Sequence, residues 1–174
     1  MFQLDTNRIN SRGKLPNINQ LEKWHADGVI LMDLSLAAKN ECDAGNSPRR
    51  AEKASEYIFS IPIIDSSHER EIIVRIERLL FPKGAADQNQ RNDIAVIFTA
   101  AKYNAILVTN DGDSKSQPGG ILGYRNELAE MNIRVMRDDD AVKLVLERIL
   151  HRDEMAALEA KNGIHPLPFW HGKD

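Results

Sequence analysis

Short apolar runs alternate with stretches of helical periodicity along the chain, and the alternation predicts an α/β fold. Residues 2–4 form a first strand candidate that ends at Asp5 in a polar turn. Asn17 or Asn19 can cap a helix to about Asp27, with Ile18, Leu21 and Trp24 or His25 inward and Gly28 as its stop. Residues 29–32 are a continuous apolar run, as expected for a parallel strand covered on both faces. Asp33-Leu34-Ser35 then starts a helix carrying Glu41 two turns in, and Gly45-Asn46-Ser47-Pro48 breaks the chain before a basic helix with Arg49, Arg50 and Lys53.

Residues 58–64, interrupted by Pro62, suit a sheet edge and not its centre. Ser66 and Ser67 precede a helix over 69–80, with Ile72, Ile73, Ile76, Leu79 and Leu80 inward. After a polar loop over 82–91, Asp93 opens an amphipathic run in which Ile94, Ile97, Phe98 and Ala101 fall at helical spacing. Residues 105–108 then read as a buried strand ending at Thr109. A helix over 124–131, a strand over 133–136 and a long helix after Asp138-Asp139-Asp140 complete the pattern. The last helix has Val142, Leu144, Val145, Leu146, Ile149 and Leu150 on its apolar face, and Asn162-Gly163 stops it. The tail holds two prolines, Phe169 and Trp170, and reads as an extended segment that docks on this chain or on a partner. The expected division is one domain over 1–150, followed by a helix end and tail over 151–174.

Composition adds boundaries. With 174 residues, 42% hydrophobic and 28% charged, the chain has the make-up of a soluble globular domain and no apolar run of membrane-spanning length. The first ten residues lack a signal-peptide pattern and there is one cysteine, so a reducing cytoplasm is the expected compartment. A net charge of -3 speaks against a broadly basic nucleic-acid surface. It leaves room for a carboxylate site whose cations restore positive charge locally.

The candidate chemistry is carboxylate chemistry. About 12 helical residues from Asp93 carry the chain roughly 18 Å one way, and four or five extended residues return it about 15 Å. Asp93 and Asp111 should therefore meet at one sheet edge. Asp5, directly after the first strand, lies where open parallel sheets place their ligand crevice, although an Asp there can also serve only turn amides. Glu41 joins them as a fourth acid and Asp113 as a reserve. Arg8, Arg12 and Lys14 sit in a loop at the crevice rim, where they either touch phosphates or stay solvated. His68 has no histidine at helical spacing and reads as a surface or capping residue. The acids at 138–140 suit a helix start. The Gly119, Gly120 and Gly123 cluster lies too far from its strand for a nucleotide fingerprint and reads as a mobile loop.

The opening LDTN, the helix ending AAKNE and the segment NDIAVIFTAAKYNAILVTNDGD resemble the PIN-domain ribonuclease family, including the VapC-like toxins, over roughly residues 1–137. The resemblance implies a three-layer α/β/α fold with a parallel, about five-stranded sheet, and an acidic site that binds Mg²⁺ or Mn²⁺ to cleave RNA. By position, Asp5, Glu41, Asp93 and Asp111 match the family's acidic quartet, and Asn7 and Thr109 its small polar helpers. Ser114 follows Asp113 where the family's toxins differ, so Asp111 and Asp113 both stay candidates for the last ligand. A toxin implies an antitoxin partner, and a homodimer is a further expectation. The alternatives are a non-catalytic PIN-like module that binds RNA or protein, and an aspartyl phosphatase. LDTN lacks the second Asp that the phosphatase chemistry uses.

Overall fold

The computed structural model describes residues 1–112 and 119–174. Five strands form one all-parallel sheet: β1 (Phe2–Leu4), β2 (Met32–Ser35), β3 (Ile58–Ser60), β4 (Ile106–Val108) and β5 (Arg134–Met136). Their order is β3-β2-β1-β4-β5, with β1 central and the chain reversing direction of travel on either side of it. The pleat sends alternate side chains to opposite faces. Phe2, Leu4, Met32, Leu34, Ile106 and Val108 pack under α1 (Pro16–Ala26) and α8 (Asp138–Lys161). Leu107 and Val135 face α4 (Ser67–Leu80), α5 (Gln88–Lys102), α6 (Gly120–Gly123) and α7 (Arg125–Glu130). Helices α2 (Leu36–Ala44) and α3 (Pro48–Ser55) link β2 to β3. The result is the expected three-layer α/β/α arrangement. Among the described residues, no helix is long and apolar enough to cross a membrane.

Several boundaries differ from the apolar pattern for identifiable reasons. Strand β2 starts at Met32, not at 29, because the amides of Val29 and Ile30 are spent on the Trp24 carbonyl that closes α1. Asp33 therefore lies inside a strand, buried, and accepts a hydrogen bond from Ser60 Oγ on the neighbouring β3. The capping role falls to Ser35, whose Oγ accepts from the Ala38 amide 3.0 Å away. Helix α1 begins at Pro16 after Leu15, and Asn19 instead bonds Asn10 and the Gly13 carbonyl. Pro in the first turn fixes the entry backbone without a side-chain cap.

Helix α5 starts at Gln88, capped by Asp87, so Asp93 lies in its second turn and not at its start. Ser66 and Glu69 make the reciprocal capping box that opens α4. The acids at 138–140 form the first turn of α8 itself, where the helix dipole favours them. On α8 the inward stripe is Ala141, Val145, Ile149 and Ala156, while Leu146 and Leu150 are exposed. The tail folds back on α8: Trp170 lies under the Arg152 guanidinium at 4.3 Å, and the Gly172 amide donates to Asp153.

Candidate active site

The carboxyl ends of β1 and β4 carry the polar groups that the central position of β1 brings together. Asp5 ends β1 and caps a 3-10 turn over Thr6–Arg8. Its carboxylate accepts from the Thr6 amide, Asn7 Nδ2 and Thr109 Oγ1, each at 2.6 Å. Thr109 follows β4 and is fully buried, and its Oγ1 also accepts from the Asp111 amide at 3.0 Å. Asn7 Oδ1 accepts from the Asn110 amide at 3.1 Å. Asn7 and Thr109 thus fasten the loop after β1 to the loop after β4, with Asp5 at the joint. Adjacent parallel strands, in register from Phe2 opposite Ile106 to Leu4 opposite Val108, place these loops side by side.

The other acids arrive from separate elements. Glu41, on an exposed face of α2, accepts from Thr6 Oγ1 at 3.0 Å. Asp93, half-buried on α5, receives no hydrogen bond among the described residues, so both its oxygens are uncommitted. Asp111 Oδ2 accepts from the Ile121 amide at 2.8 Å, and its carbonyl accepts from the Leu122 amide at 3.0 Å. Asp93 and Asp111 line one cavity of about 460 Å³, together with Asp87, Gln90 and Tyr124. The expected meeting of Asp93 and Asp111 is seen. Asp113 lies outside the described residues.

Charge and burial raise the cost of ionising this cluster. Burial pushes the Asp5 carboxyl up to about 6, against the lowering effect of the Thr109 and Thr6 hydrogen bonds, with Glu41 and Asp111 adding repulsion. Burial also lifts Asp93 to about 7, helped by the charges of Asp5, Asp111 and Glu41. Asp33, raised by its own burial, is engaged by Ser60 on β3. The donor set is all carboxylate oxygen, the type that hard divalent cations prefer. Among the described residues, no three His, Cys, Asp or Glu side chains converge into a ready-made ion cage. The four acids repel one another across the cluster without closing around a common point.

The basic loop divides. Arg8 turns inward, its Nε donating to the Asn7 carbonyl and side chain and its Nη1 lying 3.5 Å from Asp138. Arg12 and Lys14 line an adjoining cleft with Asn7 and Arg50, and among the described residues no acid contributes to its lining.

Three features escape a reading of the sequence. Thr6 serves two acids, its amide for Asp5 and its hydroxyl for Glu41. The Ile121 amide anchors Asp111 from ten residues away. Gly120 allows that anchor, since a Cβ there would lie 2.4 Å from the Gly112 nitrogen, and one on Gly112 would lie 2.2 Å from the Gly119 carbonyl oxygen. The glycine cluster was visible in the sequence, but its contact with the Asp111-Gly112 turn is a tertiary one.

Neither a protein-family model nor a curated protein sequence matches the chain. Among solved structures, that of VapBC2 from Rickettsia felis bound to a DNA fragment from their promoter aligns with a TM-score of 0.49 at 20% identity, covering 78% of this chain and 97% of that one. The fold is α/β: a five-stranded, all-parallel sheet in the order β3-β2-β1-β4-β5, flanked by helices on both faces.

Proposed function

We propose that the chain is a divalent-metal-dependent endoribonuclease that hydrolyses RNA phosphodiester bonds, acting in the cytoplasm as the toxin of a toxin–antitoxin pair. The observation that carries the nuclease reading is the electrostatic state of the acids. Asp5 and Asp93, raised to about 6 and 7, share one cluster with Glu41 and Asp111, and a bound cation relieves that repulsion. Asp5, Glu41, Asp93 and Asp111 would hold Mg²⁺ or Mn²⁺, with Asp113 as an alternative to Asp111. When bound, the metal supplies positive charge for the phosphate and lowers the pKa of an attacking water.

The rest of the work falls to the chain's own groups. Thr6, Asn7 and Thr109 fix the Asp5 carboxylate through three hydrogen bonds and so preset one wall of the site. Asp93, whose oxygens are uncommitted, lines the same cavity as Asp111. Arg12 and Lys14 meet the backbone of an approaching RNA strand, and Arg8 holds Asn7 in place from behind. The test is cleavage of single-stranded and structured RNA with Mg²⁺ or Mn²⁺ by wild type, Asp5→Asn and Asp93→Asn. Loss of cleavage in both variants is expected, and equal activity in all three would sink the assignment.

A second reading, a PIN-like module that binds RNA or protein without cutting, is favoured by one observation. The acids do not converge as a cage, and one oxygen of Asp111 is committed to a backbone amide. This reading predicts no metal-dependent turnover, RNA or protein binding that survives Asp93→Asn, and loss of that binding when residues 166–174 are removed.

A further inference from the structure

The amino ends of the strands, opposite to the end that carries Asp5, hold a second cavity, of about 310 Å³. Its floor is the start of β1 and β4, where Phe2 lies across from Ile106, and the flank of α8 that carries Val145 and Ile149. Among the described residues, every side chain that lines it is apolar except those of Arg134, Arg148 and Arg152, and no carboxylate contributes. Arg134 breaks the pattern of its strand. It pairs in register with Ile106, so the pleat sends it to the face that Phe2 and Ile106 share under α8, a face that Met136 keeps apolar two residues later. Arg148 and Arg152 stand one turn apart on α8, a spacing at which like charges repel. Arg152 is compensated by Asp153 and Asp174. The guanidinium groups of Arg134 and Arg148, both exposed at the rim, form no ion pair or hydrogen bond among the described residues.

We propose that this cavity binds a small amphiphilic carboxylate, its head on Arg134 and Arg148 and its alkyl body on the floor between the sheet and α8. Three features single out that chemistry. First, the guanidinium is a planar fork that matches a carboxylate with two parallel hydrogen bonds, and two such groups without a partner leave a positive rim to be neutralised. The tail displays the same recognition next door, where the Asp174 carboxylate lies 2.5 Å from Arg152. Second, the floor is apolar, so an inorganic anion held at the rim would leave it in water. A base edge would find no polar partner there apart from the arginines, and a polynucleotide spreads its charge along its whole backbone. Third, the volume lies at the lower end of the range for small-molecule sites and suits a ligand of about ten non-hydrogen atoms. An eight-carbon chain with a terminal carboxylate has that size and that division of charge. Asp5, Glu41, Asp93 and Asp111 take no part in this cavity, so the proposal does not rest on the ribonuclease reading.

The test is calorimetric titration of the full chain, in EDTA and without RNA, with octanoate, 1-octanol and butyrate at submicellar concentrations. Octanoate is expected to bind with a Kd of about 10–100 µM. Octanol, with the same body and no charge, should bind about tenfold more weakly, and butyrate, four methylenes shorter, on the order of 100-fold more weakly. The double variant Arg134→Gln with Arg148→Gln is expected to lower octanoate to the affinity of octanol while octanol binding and the melting curve stay unchanged. Methyl NMR should place bound octanoate by shifts at Ile30, Ile106 and Ile149, which line the cavity. Octanoate that does not bind, that binds no more tightly than octanol, that binds the double variant as well as the wild type, or whose shifts fall elsewhere overturns the proposal. None of these readouts depends on ribonuclease activity.

Discussion

At the scale of single residues, Thr109 and Asp93 carry opposite kinds of consequence. Thr109 Oγ1 is a buried hub that donates to Asp5 and accepts from Asn7 Nδ2 and the Asp111 amide. Thr109→Val keeps the shape and removes all three contacts, and a loss of about 1–3 kcal/mol is expected in urea unfolding. Asp93 works the other way. Its folded pKa, like that of Asp5, lies above the value in the unfolded chain, so the stability linked to it is complete below about pH 4 and lost as pH rises through about 7. In EDTA the melting temperature should therefore fall between pH 5 and pH 8, with Asp93 accounting for about 2 kcal/mol. Asp93→Asn should flatten that fall, and Mn²⁺ should reverse it in the wild type. A melting temperature independent of pH in EDTA would remove the electrostatic basis of the site. Asp5 and Asp93 were legible in the sequence because each sits next to an apolar run. Thr6 was not, because a hydroxyl in a turn carries no pattern of its own.

At the scale of elements, what could be read depended on where backbone hydrogen bonds go. The apolar run at 29–32 resembles a strand, yet two of its amides belong to the end of α1, and the sheet begins three residues later. The polar start of α5 is silent in apolar periodicity, which is why the helix appears from sequence to begin at Asp93. Conversely, Ser66 and Glu69 announce α4 directly, and Pro62 marks the edge strand, because both act through local chemistry. The Asp111 loop depends on the close backbone approach of Gly112 and Gly120, both with positive φ. Gly120→Ala must push the two turns apart. A destabilisation of about 2 kcal/mol or more is expected, together with weaker Mn²⁺ binding by calorimetry. Unchanged stability and affinity would mean that this contact does not hold Asp111.

At the scale of the whole molecule, the sheet order puts β1 at the centre and gathers the loops after β1 and β4, while α2 and α5 contribute acids from the flanks. The layers and strand count agree with the sequence resemblance because the apolar runs and their crossovers fix them. Which oxygens point where is set by tertiary hydrogen bonds that no spacing encodes. The tail contributes little to this core: its polar contacts with α8 side chains are the Trp170–Arg152 stack, the Gly172 amide on Asp153, and the Arg152–Asp174 and His165–Glu159 pairs. Removing residues 164–174 should cost no more than about 1 kcal/mol, and a larger drop in the melting curve would show that the tail is part of the domain. The account stands most directly on the acids as a metal centre. Anomalous scattering from a crystal soaked in Mn²⁺ should show a peak ligated by Asp93 and Asp5, with Glu41 or Asp111 completing the set. Saturating Mn²⁺ that leaves those carboxylates without a peak, while other sites fill, would contradict it.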